Sequence, residues 1–140
     1  MIVQRLVATL LALWAGSLVT VCAIAAPSAF AVLSDRQAAG QVAARLFLIE
    51  TIIGIVVSVI FLSAYAAHRI VAPRSVAVLV VLAAAAPLIS HVALSPLMAS
   101  ARSAGNMARF GALHGVSALL FLVACICAVA ALWVFNRPAV

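Results

Sequence analysis

GVSALLFLVACICAVAALWVFN, residues 115–136, runs from His114 to Arg137 without one charged side chain. A helix that crosses a bilayer needs roughly 20 consecutive, mostly apolar residues, because about 30 Å of hydrocarbon offers its backbone no other hydrogen-bond partner. This stretch meets that length and nothing in a water-filled environment would require it. The same gap recurs between Arg5 and Asp35, between Glu50 and His68, and between Arg74 and His91. Hydrophobic residues make up 69% of the 140 residues and charged residues 7%, with a mean hydropathy of +1.40. That composition excludes an ordinary soluble domain.

The pattern predicts spans at about residues 6–33, 39–68, 75–98 and 107–135. The fold class that follows is all-α: a four-helix transmembrane bundle, up-down-up-down, in one integral-membrane domain over residues 1–140. Ser34-Asp35-Arg36-Gln37 reads as a polar turn, with Ser34 placed to cap a helix opening at Asp35. Arg69 to Arg74, with Pro73, closes the second span, and Ala99 to Asn106, with Gly105, reads as a small polar turn before the fourth. Pro27 is expected to kink the first span or end its regular part, and Pro87 lies inside the third. Trp133 and Phe135 supply an interfacial aromatic anchor ahead of the short tail Asn136 to Val140. Arg5, an apolar core and Ala29-Phe30-Ala31 also suggest a cleavable signal peptide. Against that stand the single arginine and an uncharged run from Leu6 to Ser34, longer than a signal core of about 7–15 residues.

A net charge of +6 would suggest nucleic acid in another setting. Here every basic residue besides histidine is an arginine, and these punctuate span ends rather than form a patch, so nucleic acid is excluded as a partner and the bilayer is expected instead. Four spans place both termini on one side of a multi-pass protein, expected in a bacterial inner (cytoplasmic) membrane. With the N-terminus inside, Arg5, Arg69, Arg74 and Arg137 face Arg36, Arg45, Arg102 and Arg109 across the bilayer. Arg45 lies some way into its span, which tips the balance slightly toward cytoplasmic termini. Cys22, Cys125 and Cys127 sit in apolar runs and read as small buried residues rather than a disulfide framework. Cys125 and Cys127, two apart on a helix, point to nearly opposite faces and cannot hold one ion together.

Ionisable groups inside a bilayer cost about 2.5–3.5 kcal/mol on insertion scales, so each asks for a partner or a task. Arg45, Glu50, His91, Arg109, His114 and Ser117 all belong to the half of the membrane nearest the first and third loops. At helical period, Glu50 shares a face with Gly54, Val57, Phe61 and His68, His114 with Gly111, Ser117 and Phe121, and His91 with Pro87, Ser95 and Met98. If those faces turn inward, Glu50, His91 and His114 meet in one buried polar cluster. The plain reading of such a cluster is a set of interhelical hydrogen bonds, each worth about 0.6–2 kcal/mol. A sharper one makes His91 and His114 axial ligands to haem, or with Glu50 a copper or zinc site, with Met98 and Met107 suited to Cu(I). A third makes Glu50 the carrier in a small proton-coupled transporter. No HExxH, nucleophile elbow or phosphate-cradling glycine loop occurs, so no catalytic residue is expected. Gly111-x-x-x-Gly115, Ala12-x-x-x-Gly16 and Gly54-x-x-x-Ser58 predict close helix packing within the bundle.

Trp14-x-Gly16, Ala26-Pro27-x-x-Phe30, Ala39-Gly40 with Arg45-Leu46-Phe47, and His114-Gly115-x-Ser117 after Phe110 together resemble the transmembrane protein 205-like family. That resemblance implies a small four-helix membrane domain of unknown function, with no motif that takes in Glu50 or His91. In helix count and size the chain is also loosely similar to the copper-resistance D type of membrane domain and to a haem-pathway membrane oxidase, an analogy of fold alone. The expected function is non-enzymatic: a structural or partner-binding membrane component, partnered by lipid, by a second copy of the chain or by another membrane protein.

Overall fold

A computed structural model describes residues 2–137; residues 138–140 of the expected tail lie outside it. Every charge-free run forms a helix, and no strand occurs among the described residues. The first span is Ile2–Val32, the second Arg36–Ala66, the third Arg74–Ser103 and the fourth Met107–Phe135. At 1.5 Å per residue each is about 45 Å long, enough to cross the hydrocarbon and reach both interfaces. The class is therefore the one the sequence predicts, an all-α bundle of four candidate spans. Its limits differ in places. The third helix runs on to Ser103 rather than stopping near Met98, and the first two start several residues before their predicted positions.

Local chemistry explains the ends. Asp35, not Ser34, caps the second span: its Oδ1 accepts from the Gln37 N–H at 2.8 Å. A carboxylate is the stronger acceptor, and Asp35 holds the extended backbone a cap requires. Beyond Ala66 the chain turns out of the helix at His68, with φ +53°. Its N–H reaches the Tyr65 carbonyl and the Arg69 N–H reaches Ala64, the paired bonds of a Schellman turn. The third span ends the same way at Gly105, φ +68°, with Asn106 N–H bonded to the Ala101 carbonyl. Asn106 then caps the fourth span by accepting from the Arg109 N–H at 3.0 Å. One three-residue turn thus closes one helix and opens the next.

Pro87 sits inside an unbroken helix, whereas ahead of Pro27 the regular α-helix ends at Thr20 although the span runs on to Val32. π-helical turns occupy Val21–Ala25 and Ser90–Leu94. Each closes on an i to i−5 bond just before a proline: Ala26 N–H to Val21 O ahead of Pro27, and Ser95 N–H to Ser90 O ahead of Pro96. The extra residue widens the helix where the proline ring would strike a carbonyl one turn back. The same device appears once in each helical hairpin, a local repeat that residue similarity does not reveal.

The first span packs against the second and fourth, and the third against the second and fourth, which closes a ring. Its core holds Leu11, Trp14, Leu18, Phe61, Val76 and Val80, each withdrawn completely from solvent. Phe61 also meets the Phe135 ring edge-on at 5.9 Å. Toward the first and third loops the hairpins part. Residues 26–32 pack on the second span and residues 95–103 on the fourth, with little reaching across. Phe47 and Phe121, ring centroids 4.4 Å apart, bridge the bundle before that divergence. Only 33% to 39% of each span's most apolar window is buried. The outward faces carry Leu13, Ile52, Leu119 and Ile126, side chains that suit lipid.

Among the glycines of the small-residue spacings, only Gly54 has a close neighbour on another helix. A Cβ there would stand 3.0 Å from Trp14 Cζ2, so the glycine lets the indole lie on the second helix. Gly16, Gly111 and Gly115 meet nothing within 4 Å. The expectation that Gly111 and Gly115 serve packing within the bundle is corrected: their helix turn is exposed.

Candidate functional site

The second span carries the one buried carboxylate among the described residues, Glu50, with 4% of its surface accessible. Gly54, Val57 and Phe61 are buried along the same stripe, as the helical phase predicts. Its partner comes from the first span: Ser17 Oγ lies 3.2 Å from Glu50 Oε2 and donates to it. Ser17 Oγ is also 3.0 Å from the Trp14 carbonyl. Its single hydroxyl proton is divided between the two acceptors, one on the neighbouring helix and one on its own. Trp14 Nε1, buried beside Gly54, has no partner.

A second polar contact joins the third and fourth spans. Ser90 and Ser117 stand 2.6 Å apart, Oγ to Oγ, with Ser90 almost fully buried. Ser58 adds a third link, donating to the Val80 carbonyl at 3.4 Å between the second and third spans. Gln4 adds a fourth outside the core. Its amide donates to Val71 O at 3.0 Å and accepts from Val71 N–H at 2.9 Å, fastening the first span to the second loop.

The six residues of the predicted cluster divide. Glu50 and Ser117 are brought to interhelical partners, whereas Arg45, His91, Arg109 and His114 are exposed. His91 fails to turn inward because Ala83, Ala86, Pro87 and Ser90 already form the buried stripe of the third span, and His91 is the next residue round the helix. His114 lies in the part of the fourth span where the hairpins have separated. Its ring stacks on Phe110, centroids 6.0 Å apart at 10°, and the Arg102 guanidinium lies 4.4 Å from the Phe110 centroid. Glu50, His91 and His114 do not share a pocket. No group of three or more His, Cys, Asp and Glu side chains is placed to hold a metal among the described residues. Sequence reasoning missed Ser17 and Ser90 and, though it singled out Trp14 in a motif, not its packing on Gly54; the importance of such groups in apolar runs depends on what the next helix presents.

Four long apolar helices, joined by short turns and tied by a few interhelical polar contacts, define a multi-pass membrane protein. The chain belongs to the family described as a domain of unknown function, DUF4149, which matches residues 9–107. The match takes in most of the first three spans and stops at the start of the fourth, so His114-Gly115-x-Ser117 falls beyond it. No curated protein and no solved structure matches the chain.

Proposed function

We propose that this chain is a single small integral-membrane component without enzymatic activity, whose in-span polar side chains act as cross-links between helices. The observation that carries this reading is the partnering of those groups: Ser17 with Glu50, Ser58 with Val80, and Ser90 with Ser117 each join two adjacent spans. Contacts of this kind are worth about 0.6–2 kcal/mol apiece, enough to fix helix order. The uncovered apolar faces then meet lipid, a second copy or a partner helix.

Within that reading the transmembrane protein 205-like relationship is the finer family assignment, supported by Trp14-x-Gly16, Ala26-Pro27 and Arg45-Leu46-Phe47. A bacterial cytoplasmic membrane with both termini on the cytoplasmic side fits the arginine distribution, once Arg45 is discounted for its depth. The exposed positions of His91 and His114 lend no support to haem or copper at those residues.

Reconstitution into sealed vesicles tests the assignment. A structural role for Glu50 requires that wild type and Glu50→Gln show the same background proton permeability. A proton flux present in wild type and abolished by Glu50→Gln, with thermal stability unchanged, would replace this reading with a transporter.

A further inference from the structure

A groove of about 760 Å³ lies along the seam of the first and fourth spans. Small side chains leave the space: Cys22 and Ala23 from the first span, Cys125 and Ala130 from the fourth. Its lining is apolar throughout and extends on the fourth span from Leu122 to Val134. That stretch is about 18 Å long, close to the roughly 15 Å of hydrocarbon in one leaflet. Trp133, exposed near the helix end, fixes the depth, because such indoles sit at the headgroup level. A second hollow, of about 400 Å³, shares Val129 and Trp133 with the groove and is completed by Leu132, Asn136 and Arg137. The Arg137 guanidinium carbon lies 6.0 Å from the Trp133 ring centroid. The apolar groove therefore opens, at headgroup depth, beside a cation.

The side-chain charge at this end has one sign. Gln4 pairs with Val71, and Phe61 meets Phe135, so Arg5, Arg69, Arg74 and Arg137 share one end of the bundle. The chain has two acidic side chains, and neither is there. Asp35 caps the second span at the opposite end, and Glu50 is buried within that span. We propose that the groove binds one phospholipid of the leaflet on the side of the termini. An acyl chain lies between the first and fourth spans, the phosphate meets Arg137, and a headgroup of net negative charge is preferred. A guanidinium suits phosphate through its paired N–H donors. Leaflet phosphates supply the anion that the side chains at this end lack. A second copy in the same orientation would bring only further arginines there, so the charge selects lipid. The site needs none of the helix cross-links proposed above.

Native mass spectrometry of the full chain, released from detergent micelles after titration with phosphatidylglycerol or phosphatidylcholine of equal chain length, tests the site. The expected result is one phosphatidylglycerol retained per chain, more tightly than phosphatidylcholine. Arg137→Gln should weaken that retention about tenfold or more, the worth of a hydrogen bond to a charged group. Arg109→Gln, an arginine at the opposite end, should leave it unchanged. Val129→Trp fills the groove from an exposed position and should also abolish retention. Melting temperatures in lipid-free detergent, equal for wild type and all three variants, show that the fold has survived. Glycerol phosphate, the headgroup without its chains, should not bind. Equal retention of the two lipids, or equal weakening by Arg137→Gln and Arg109→Gln, would overturn the proposal. So would undiminished retention in Val129→Trp, or paired chains with no lipid attached, which would give the face to a second copy.

Discussion

The indole of Trp14 lies over Gly54 so closely that a single methyl group at Gly54 would stand 3.0 Å from Cζ2 and 3.3 Å from Nε1. The contact locks the first span onto the second one turn from Glu50, and it needs the backbone of the second helix to be bare. Trp14 is fully buried and cannot swing outward without leaving the core.

Substitution at Gly54 is therefore expected to destabilise despite the better helix propensity of alanine. Gly54→Ala should cost about 1–3 kcal/mol, the usual range for overpacking, and Gly54→Leu more. Equilibrium unfolding in mixed micelles reads the difference, and the double variant Gly54→Ala/Trp14→Phe should recover part of it. Gly16→Ala, where a Cβ meets nothing, is the control and should be neutral or slightly stabilising.

The two Schellman turns make opposite forecasts. His68 adopts φ +53° where glycine is favoured, while Gly105 fills the equivalent place at φ +68°. A left-handed conformation costs an L residue about 1–2 kcal/mol, part of which glycine returns through its freer unfolded chain. His68→Gly should raise stability by about 0.5–1 kcal/mol and Gly105→Ala should lower it by about 1 kcal/mol. Thermal melts of both variants beside wild type check the signs.

Ser90 and Ser117 behave as a unit if their 2.6 Å contact holds the third span to the fourth. Either alanine variant should lose about 0.6–1.7 kcal/mol, and the double variant hardly more than one of them. Additive losses in the double variant would mean that each serine acts through other partners.

The exposed imidazoles carry a separate forecast. His114 is engaged with Phe110, and His91 lies outside the buried stripe. Gently solubilised protein should show no Soret band and no stoichiometric copper, and His114→Ala should not alter its absorption spectrum. A haem spectrum lost in that variant would place a cofactor where the exposed ring gives no sign of one.

Charge gaps made the four helices legible, because no other arrangement of backbone satisfies its hydrogen bonds across so long an apolar run. The inward stripe of the second span was legible too: Glu50, Gly54, Val57 and Phe61 keep a 3.6-residue period over an unbroken helix. The same arithmetic misplaced His91 and His114. A helical stripe gives relative phase, not which face turns inward, and in an alanine- and valine-rich helix several faces are equally apolar. Near His114 the fourth span meets only residues 95–103 of its own hairpin, and the face that packs there carries Phe110, Leu113 and Ser117 rather than His114. The π turns were hidden because a fixed period assumes them away. The Ser17 contact with Glu50 depends on how the first span is rotated against its neighbours, which no single helix encodes.

The coupling between Ser17 and Glu50 tests the structural role of the buried carboxylate most directly. A double-mutant cycle of Ser17→Ala and Glu50→Gln, read by unfolding in lipid nanodiscs, should give an interaction energy of about 0.6–2 kcal/mol. No coupling between them, with Glu50→Gln as stable as wild type, would contradict the account and leave Glu50 buried for some purpose other than holding the bundle together.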